Sequence, residues 1–109
     1  MTAIFEVLAE PSRRRILDLL RYSELPVGEI VDATALSQPA VSKHLRVLRE
    51  AGLVDVRTEA QRRFYRVRAE PLRDIDEWLA PYRRMWAQSL SALERHLELV
   101  EDTGDGAWS

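Results

Sequence analysis

The sequence contains no cysteine among its 109 residues. This absence excludes disulfide bonds and thiolate metal sites, and it fits a protein of the reducing cytoplasm. Histidine is nearly absent too, since only His44 and His96 occur. No Ser-His-acid spacing, phosphate-binding loop or pair of carboxylates stands out in a pocket-forming context, so we do not expect an enzyme.

Long hydrophobic runs are also missing. No apolar run approaches the about 20 residues of a membrane-spanning helix, and the N-terminal stretch lacks the charge-first order of a signal peptide. The composition is that of a globular chain, with 46% hydrophobic and 31% charged residues and only four Gly and five Pro. We therefore expect one domain in a soluble, cytoplasmic protein with no membrane partner.

Charge is distributed unevenly, although the formal net charge is only -2. Residues 1–36 carry four basic and six acidic side chains, whereas residues 37–68 carry eight basic and three acidic ones, a net of +5. Residues 69–109 have a net charge of -5. A basic middle between acidic flanks favours a local anionic partner, and the alternative is an ordinary solvated face.

Hydrophobic spacing predicts four helices in the first half of the chain. One precedes Pro11, the second begins at that residue, and the third contains the stretch VGEIVDATAL. The fourth spans residues 37–51, where Ser37 is a favourable N-cap and Pro39 falls in the first turn, so that its missing N–H costs little. Gly52 suits the left-handed position that ends a helix.

Two stretches of alternating polar and apolar residues, LVDVRTE and RRFYRVRAE, predict a β-hairpin. Its tip falls at Ala60–Arg63, which lacks the Asn-Gly signal of a tight turn. A last helical stretch begins at Pro71, with a kink or break expected near Pro81. Beyond it apolar side chains recur at helical spacing, namely Tyr82, Trp86, Leu90, Leu93, Leu97 and Val100. The predicted fold class is mostly α with a small β-hairpin (α+β), in the order ααααββα.

A short helix, a tight turn and a capped helix that starts at Ser37 form the pattern of a helix-turn-helix, whose second helix fits the major groove of DNA. Gln38 offers the amide that pairs with adenine, and Lys43 can reach guanine or phosphate. The basic hairpin that follows is a natural second contact. It would act as a wing along the DNA backbone, with Arg62 and Arg63 at its tip.

The segments LAEPSRRRILDLL, LSQPAVSKHLRVLREAGLV and RRFYRV resemble the ArsR-type winged helix-turn-helix repressors, and the resemblance covers about residues 5–68. It implies a homodimeric transcriptional repressor that binds an inverted-repeat operator in double-stranded DNA, in its own or a neighbouring promoter. It also implies one domain over residues 1–103, in which helices 1–9 and 71–101 form the dimer interface. We expect a flexible tail at residues 104–109.

The expected DNA contacts lie in the helix 37–51 and in the wing 54–68. They are Ser37, Gln38, Pro39, Ala40, Ser42, Lys43, His44, Arg46, Arg57, Arg62, Arg63 and Tyr65. The expected dimer interface is apolar, because an apolar patch too large for so small a body to cover marks association. It comprises Ile4, Phe5, Leu8, Trp78, Tyr82, Met85, Trp86, Leu90, Leu93, Leu97 and Val100.

Several residues have a second interpretation. His44 is either a groove contact or a packed histidine, because its helical angle lies off the centre of the polar face. Members of the basic run Arg13–Arg15 pair with Glu10 and Asp18, or they contact phosphate. The tryptophans are expected in the core or the interface rather than as ligand-stacking residues.

A regulatory metal is not expected. The resemblance extends to metal sensors, which carry a Cys-x-Cys pair where this sequence has Val27 and Gly28, or paired His and acidic ligands on the last helix. Here that helix offers one histidine among carboxylates, namely His96, Glu94, Glu98 and Asp102. Because zinc and nickel need several converging ligands, we expect a metal-independent member of this bacterial family, with no cofactor.

A different class of function stays open. The chain would then be a small-molecule or protein-partner sensor, in which the winged helix serves mainly as an interaction module. The net of +5 in residues 37–68 favours DNA, and the salt dependence of DNA binding discriminates between the two. No residue indicates the inducer.

Overall fold

The computed structural model describes residues 2–102, with side chains from residue 4 to residue 99. The expected flexible tail at residues 104–109 and the side chain of Val100 lie outside the described residues. No helix within the described range is both long enough and apolar enough to span a bilayer.

Five α-helices and one β-hairpin make up the described chain. The helices are α1 (Thr2–Ala9), α2 (Pro11–Leu20), α3 (Val27–Thr34), α4 (Gln38–Glu50) and α5 (Arg73–Asp102). The strands are β1 (Val54–Glu59) and β2 (Arg62–Val67), and a 3-10 turn (Glu70–Leu72) precedes α5. This order confirms the predicted fold class. The chain divides into two compact units, the first ending at Ile75 and the second beginning at Asp76.

The core of the first unit is built around the apolar stripe of α4. Val41, Leu45 and Leu48 recur at steps of four and three residues, and each is at most 1% exposed. Ile16 of α2 and Ile30 of α3 are fully buried in the same cluster. Burial of one such side chain contributes about 1.5–3 kcal/mol. The predicted stripe therefore holds α4 in the core and leaves its opposite face exposed.

Both ends of α4 follow from single residues. The Oγ atom of Ser37 accepts a hydrogen bond from the Ala40 N–H at 3.2 Å, which satisfies an amide that the first turn leaves unpaired. Gly52 has a φ of 76°, a left-handed value that a Cβ atom disfavours. The next N–H, that of Leu53, donates to the Leu48 carbonyl oxygen at 2.9 Å. The predicted cap and the predicted stop are confirmed.

The last helix differs from the prediction. α5 continues through Pro81 as one helix, so a break near that residue is wrong, whereas the alternative, a kink, stays a prediction. An interior proline removes one N–H donor and its ring crowds the carbonyl four residues earlier, so it disfavours a helix without always ending it. The Arg83 guanidinium also donates to the Asp76 carbonyl oxygen at 3.2 Å and lies 2.9 Å from the Asp76 carboxylate. These contacts join the turns before and after the proline.

The hairpin pairs its strands in the predicted alternation. Val54 lies opposite Val67, and both belong to the core or pack against it. Asp55 lies opposite Arg66, one position along each strand. Because successive side chains of a strand point to opposite faces, the apolar pair and the charged pair occupy different faces of the hairpin.

The turn of the hairpin contains two residues in left-handed conformations. Ala60 and Gln61 have φ values of 54° and 103°, which are typical of the type I′ turn that favours Asn-Gly. We expect Gln61→Gly to raise the free energy of unfolding by about 0.5–1 kcal/mol, because Gly adopts positive φ without a Cβ clash. Urea denaturation at a fixed protein concentration measures the change. Gln61→Ala is the control and should give no gain; a glycine variant less stable than the wild type would contradict the turn geometry.

The N-cap of α4 gives a second stability prediction. Ser37→Ala removes the acceptor of the Ala40 N–H and should lower the free energy of unfolding by about 1 kcal/mol. Ser42→Ala is the matched control, because Ser42 is an exposed serine of the same helix and its loss should change stability by less than about 0.5 kcal/mol. Equal losses in the two variants would mean that the Ser37 hydroxyl does not cap the helix.

Candidate nucleic-acid interface

The turn between α3 and α4 is built on a buried threonine. The hydroxyl of Thr34 donates to the Ile30 carbonyl oxygen (2.8 Å) and accepts from the Leu36 N–H (3.4 Å). The Arg15 guanidinium donates to the Thr34 carbonyl oxygen at 3.2 Å. Ala35 ends α3 in a left-handed conformation, with a φ of 59°. Because these contacts satisfy the polar groups at the end of α3, the chain passes into α4 within three residues.

The exposed side of α4 carries most of the predicted contacts of this helix. We name the following residues the α4 face: Gln38, Pro39, Ser42, Lys43 and Arg46, all of which are exposed. At 3.6 residues per turn they span an arc of about 140°. Ala40 is half-buried and lies about 60° outside this arc, beyond Lys43. In the described part of the chain neither Lys43 nor Arg46 pairs with a carboxylate, so both charges are available to a partner.

His44 lies outside the α4 face. Its side chain is half-buried, and its Nδ1 atom is buried without a hydrogen-bond partner among the described residues. His44 therefore packs along its Nδ1 edge, as the packed interpretation expects, and its contact with DNA stays a prediction.

The consecutive arginines of α2 bind backbone oxygens. Arg13 and Arg14 donate to carbonyl oxygens near the end of α1, at 3.1 and 2.6 Å. Carbonyl groups at the end of a helix carry partial negative charge and attract cations. The expected ion pairs with Glu10 and Asp18 do not occur in the described residues, because the guanidinium groups are taken up by these carbonyls.

We name Arg57 and Arg66 the base of the wing, and both are paired with carboxylates. The Nε atom of Arg57 donates to the Glu24 carboxylate (2.8 Å) and its Nη1 atom donates to the Glu59 carboxylate (2.9 Å). These hydrogen bonds, that to Glu59 first, raise the pKa of Arg57. Arg66 donates to Asp55 on the opposite strand, and this hydrogen bond lowers the pKa of Asp55. Asp55 and Glu59 are already counted in the net of +5 for residues 37–68, whereas Glu24 lies outside that segment and adds one negative charge beside Arg57.

The tip of the wing keeps its charge. Arg62 and Arg63 are exposed, and neither forms an ion pair with the residues that the structure describes. The guanidinium carbon of Arg62 lies 5.1 Å from the ring centroid of Phe64, and that of Arg63 lies 5.8 Å from the ring centroid of Tyr65. Such cation–π contacts orient a guanidinium group without neutralising it.

Two predicted wing contacts, Arg57 and Tyr65, already have partners within the protein. Tyr65 is half-buried against the core, and its N–H donates to the Leu25 carbonyl oxygen at 2.9 Å. Sequence reasoning missed Glu24, the partner of Arg57. The two residues are 33 positions apart, and no short-range pattern joins them.

The predicted dimer residues of the first unit are partly used within the chain. Ile4 is 7% exposed and belongs to the core. Phe5 and Leu8 are half-buried and pack against that core. Little of Ile4 is therefore left for a partner, whereas Phe5 and Leu8 keep part of their surface.

The predicted dimer residues of α5 are largely exposed. Trp86 and Leu90 are 56% and 60% exposed, and Leu97 is half-buried. The other exposed members are Trp78, Tyr82, Met85 and Leu93. Leu99, which is 64% exposed, was missed, although it follows Met85 by two heptads, the spacing of a helical interface. An apolar face of this extent favours association.

The acidic and histidine side chains of α5 do not converge on a metal site in the described structure. Glu94, His96 and Glu98 are all exposed, and the side chain of Asp102 lies outside the described residues. Among the residues that are described, no group of three or more His, Asp or Glu side chains could hold a metal ion.

Comparison with known proteins agrees with this geometry. The family model "Bacterial regulatory protein, arsR family" matches residues 10–56. Transcriptional repressor SdpR of Bacillus subtilis is 30% identical over 79 residues, which cover 72% of this chain and 88% of that protein. HTH-type transcriptional regulator Rv2034 of Mycobacterium tuberculosis is 34% identical over 101 residues, which cover 93% of this chain and 89% of that protein.

A solved structure shows the same architecture. The solution NMR structure of the homodimeric winged helix-turn-helix DNA-binding domain Mb0332 from Mycobacterium bovis has a TM-score of 0.60 to this chain at 31% identity. The match covers 89% of this chain and 81% of that one. The chain described here therefore belongs to the arsR family of bacterial regulatory proteins, and it has their winged helix-turn-helix fold.

Proposed function

We propose that the chain is a homodimeric transcriptional repressor that binds an inverted-repeat operator in the cytoplasm. The observation that supports this most is the α4 face, an exposed polar surface with unpaired Lys43 and Arg46 on a helix whose apolar side is buried. In this proposal α4 enters the major groove and the wing lies along the backbone.

The α4 face has the chemistry of base and phosphate recognition. The Gln38 amide can donate to and accept from adenine, and Lys43 can donate to guanine or to phosphate. The first N–H groups of α4 and the Ser42 hydroxyl suit phosphate oxygens. A helix of 13 residues is about 20 Å long, so its first turns can reach the base edges while Arg46 stays near the groove wall.

The wing supplies positive charge at its tip rather than along its length. Arg57 and Arg66 are balanced by carboxylates, whereas Arg62 and Arg63 are free to meet phosphate groups. We infer two phosphate contacts for each wing. Each contact releases condensed counterions, so the affinity for DNA must fall as salt rises.

The apolar face of α5 supports the dimer. Its large side chains are about half exposed in the single chain, and an isolated helix with such a face gains stability only by packing. The homodimeric state of Mb0332 is consistent with this assignment. A symmetric pair of α4 helices would read two half-sites about one helical turn of DNA apart, or a multiple of it.

The first functional prediction removes the two unpaired charges of the α4 face. Lys43→Ala combined with Arg46→Ala should weaken binding to a DNA fragment from the promoter of its own gene by at least about 30-fold, because each contact is worth about 1–3 kcal/mol. Fluorescence anisotropy at several salt concentrations measures the affinity and its salt slope. Arg49→Ala is the matched control, since it removes a charge from the last turn of the same helix, and it should bind almost as well as the wild type.

The outcomes separate the proposed function from its alternative. Unchanged size in solution together with lost DNA binding would support the α4 face as the contact surface. A wild-type affinity that does not respond to salt would contradict DNA binding and favour the sensor or interaction module. Loss of the dimer in the double variant would mean that the DNA surface has been misplaced.

The second functional prediction concerns the α5 face. Leu93→Glu places a charge in the apolar surface and should convert the dimer to monomers, because an unpaired carboxylate resists burial. Size-exclusion chromatography with light scattering reports the mass. Ser91→Glu, a charge on the opposite side of the same helix, should leave the dimer intact. A dimeric Leu93→Glu variant would show that this face is not the interface.

A further inference from the structure

The wing is tied through its backbone to the segment between α2 and α3. The Leu25 N–H donates to the Tyr65 carbonyl oxygen at 3.0 Å, and the Tyr65 N–H donates back to the Leu25 carbonyl oxygen at 2.9 Å. A two-stranded hairpin alone is marginally stable in water. This bridge extends the hairpin by one residue of a third strand and anchors β2.

Side chains reinforce the bridge on the charged face of the hairpin. The Glu24 carboxylate accepts the Arg57 Nε–H at 2.8 Å, and its other oxygen lies 3.9 Å from Nη1 of Arg66. One carboxylate from outside the hairpin thus contacts an arginine on each strand. These side chains are between 32% and 41% exposed, so the contacts are only partly solvated.

From Arg57 the contacts continue toward the tip. The guanidinium carbon of Arg57 lies 4.9 Å from the ring centroid of Phe64, directly across the hairpin. The same ring is contacted by Arg62, at 5.1 Å. Glu24, Arg57, Phe64 and Arg62 therefore form a connected row that runs from the segment beside α3 to the tip of the wing.

We propose that Glu24 is a positioning residue for the wing, and that Arg57 links Glu24 to the tip of the wing rather than binding phosphate. This inference rests on the proposed function, because it concerns how Arg62 is presented to the DNA backbone. The carboxylates of Glu24 and Glu59 occupy Arg57, whereas Arg62 has only an aromatic partner and keeps its charge. Glu24 fixes the tip by holding Arg57. The tip therefore loses less conformational entropy when it binds DNA.

The two possible roles of Glu24 change the DNA affinity in opposite directions when its charge is removed. If Glu24 acted only through its charge, its neutralisation would strengthen binding to a polyanion. As a positioning residue it has the opposite effect: Glu24→Gln should weaken binding to the promoter fragment about three- to fivefold, the effect of losing a good surface ion pair. Glu29→Gln is the matched control, since it removes the same charge from an exposed residue of α3 and should bind as tightly as the wild type or more tightly.

The salt dependence of DNA binding distinguishes an arginine that positions the wing from an arginine that binds phosphate. Arg57→Gln should weaken binding by a similar factor and leave the salt slope unchanged, whereas Arg62→Gln should reduce the slope by about one unit. Glu24→Gln combined with Arg57→Gln should bind no worse than either single variant, because both act through one contact. Arg57→Gln removes the partner of Glu24 in the same contact, so the test does not depend on the Glu24→Gln variant alone.

Hydrogen exchange provides a readout without DNA. NMR exchange rates of the Leu25 and Tyr65 amides should rise in Glu24→Gln and Arg57→Gln, and they should stay unchanged in Arg62→Gln. Unchanged exchange in the first two variants would overturn the positioning role. So would a Glu24→Gln protein that binds DNA as tightly as the wild type, or an Arg57→Gln protein whose salt slope falls by one unit. A wild-type protein with no salt-dependent DNA binding would instead remove the proposed function, and this inference with it.

Discussion

The packing of α4 into the core is the interaction on which the rest of the structure depends. Val41, Leu45 and Leu48 are buried along one side of the helix, and together they set its rotation about its own axis. A rotation by one residue, about 100°, would turn charged side chains such as Lys43 toward the core, and burial of an unpaired charge is far more costly than the loss of one contact. The position of the α4 face thus follows from the apolar residues behind it.

The positive charge that the first unit can offer to an anionic partner depends on which arginines are paired with carboxylates, and not on the number of arginines. Arg57, Arg66 and Arg62 all belong to a basic hairpin, yet the first two are balanced by carboxylates and only the third is unpaired. Balanced arginines stiffen the base of the wing, and unpaired arginines at its tip remain available for phosphate. A guanidinium group suits both uses, because it can bind a carboxylate in a fork and can also stack on an aromatic ring while it stays charged.

Signals that act over a few residues made much of the fold and part of the site predictable. The cap at Ser37, the stop at Gly52 and the alternation of the hairpin depend on neighbouring residues, so they could be read from the sequence. The pairing of Glu24 with Arg57 spans 33 positions and depends on how the hairpin packs. The break considered at Pro81 was wrong, because a local rule for helix ends was applied to a helix of 30 residues in which Arg83 contacts Asp76 across the proline.

If the proposed dimer forms through the apolar face of α5, that face strengthens the proposed DNA contacts. One chain has unpaired cations on the α4 face and at the wing tip. If each of them met a phosphate group, so few contacts alone would support only weak, salt-sensitive binding. Joining two copies makes the second half-site contact intramolecular, and the effective concentration that results multiplies affinity without any new contact to DNA. In the proposed function, the exposed Trp86, Leu90 and Leu93 would therefore be as necessary to operator recognition as the α4 face, although they would touch no base.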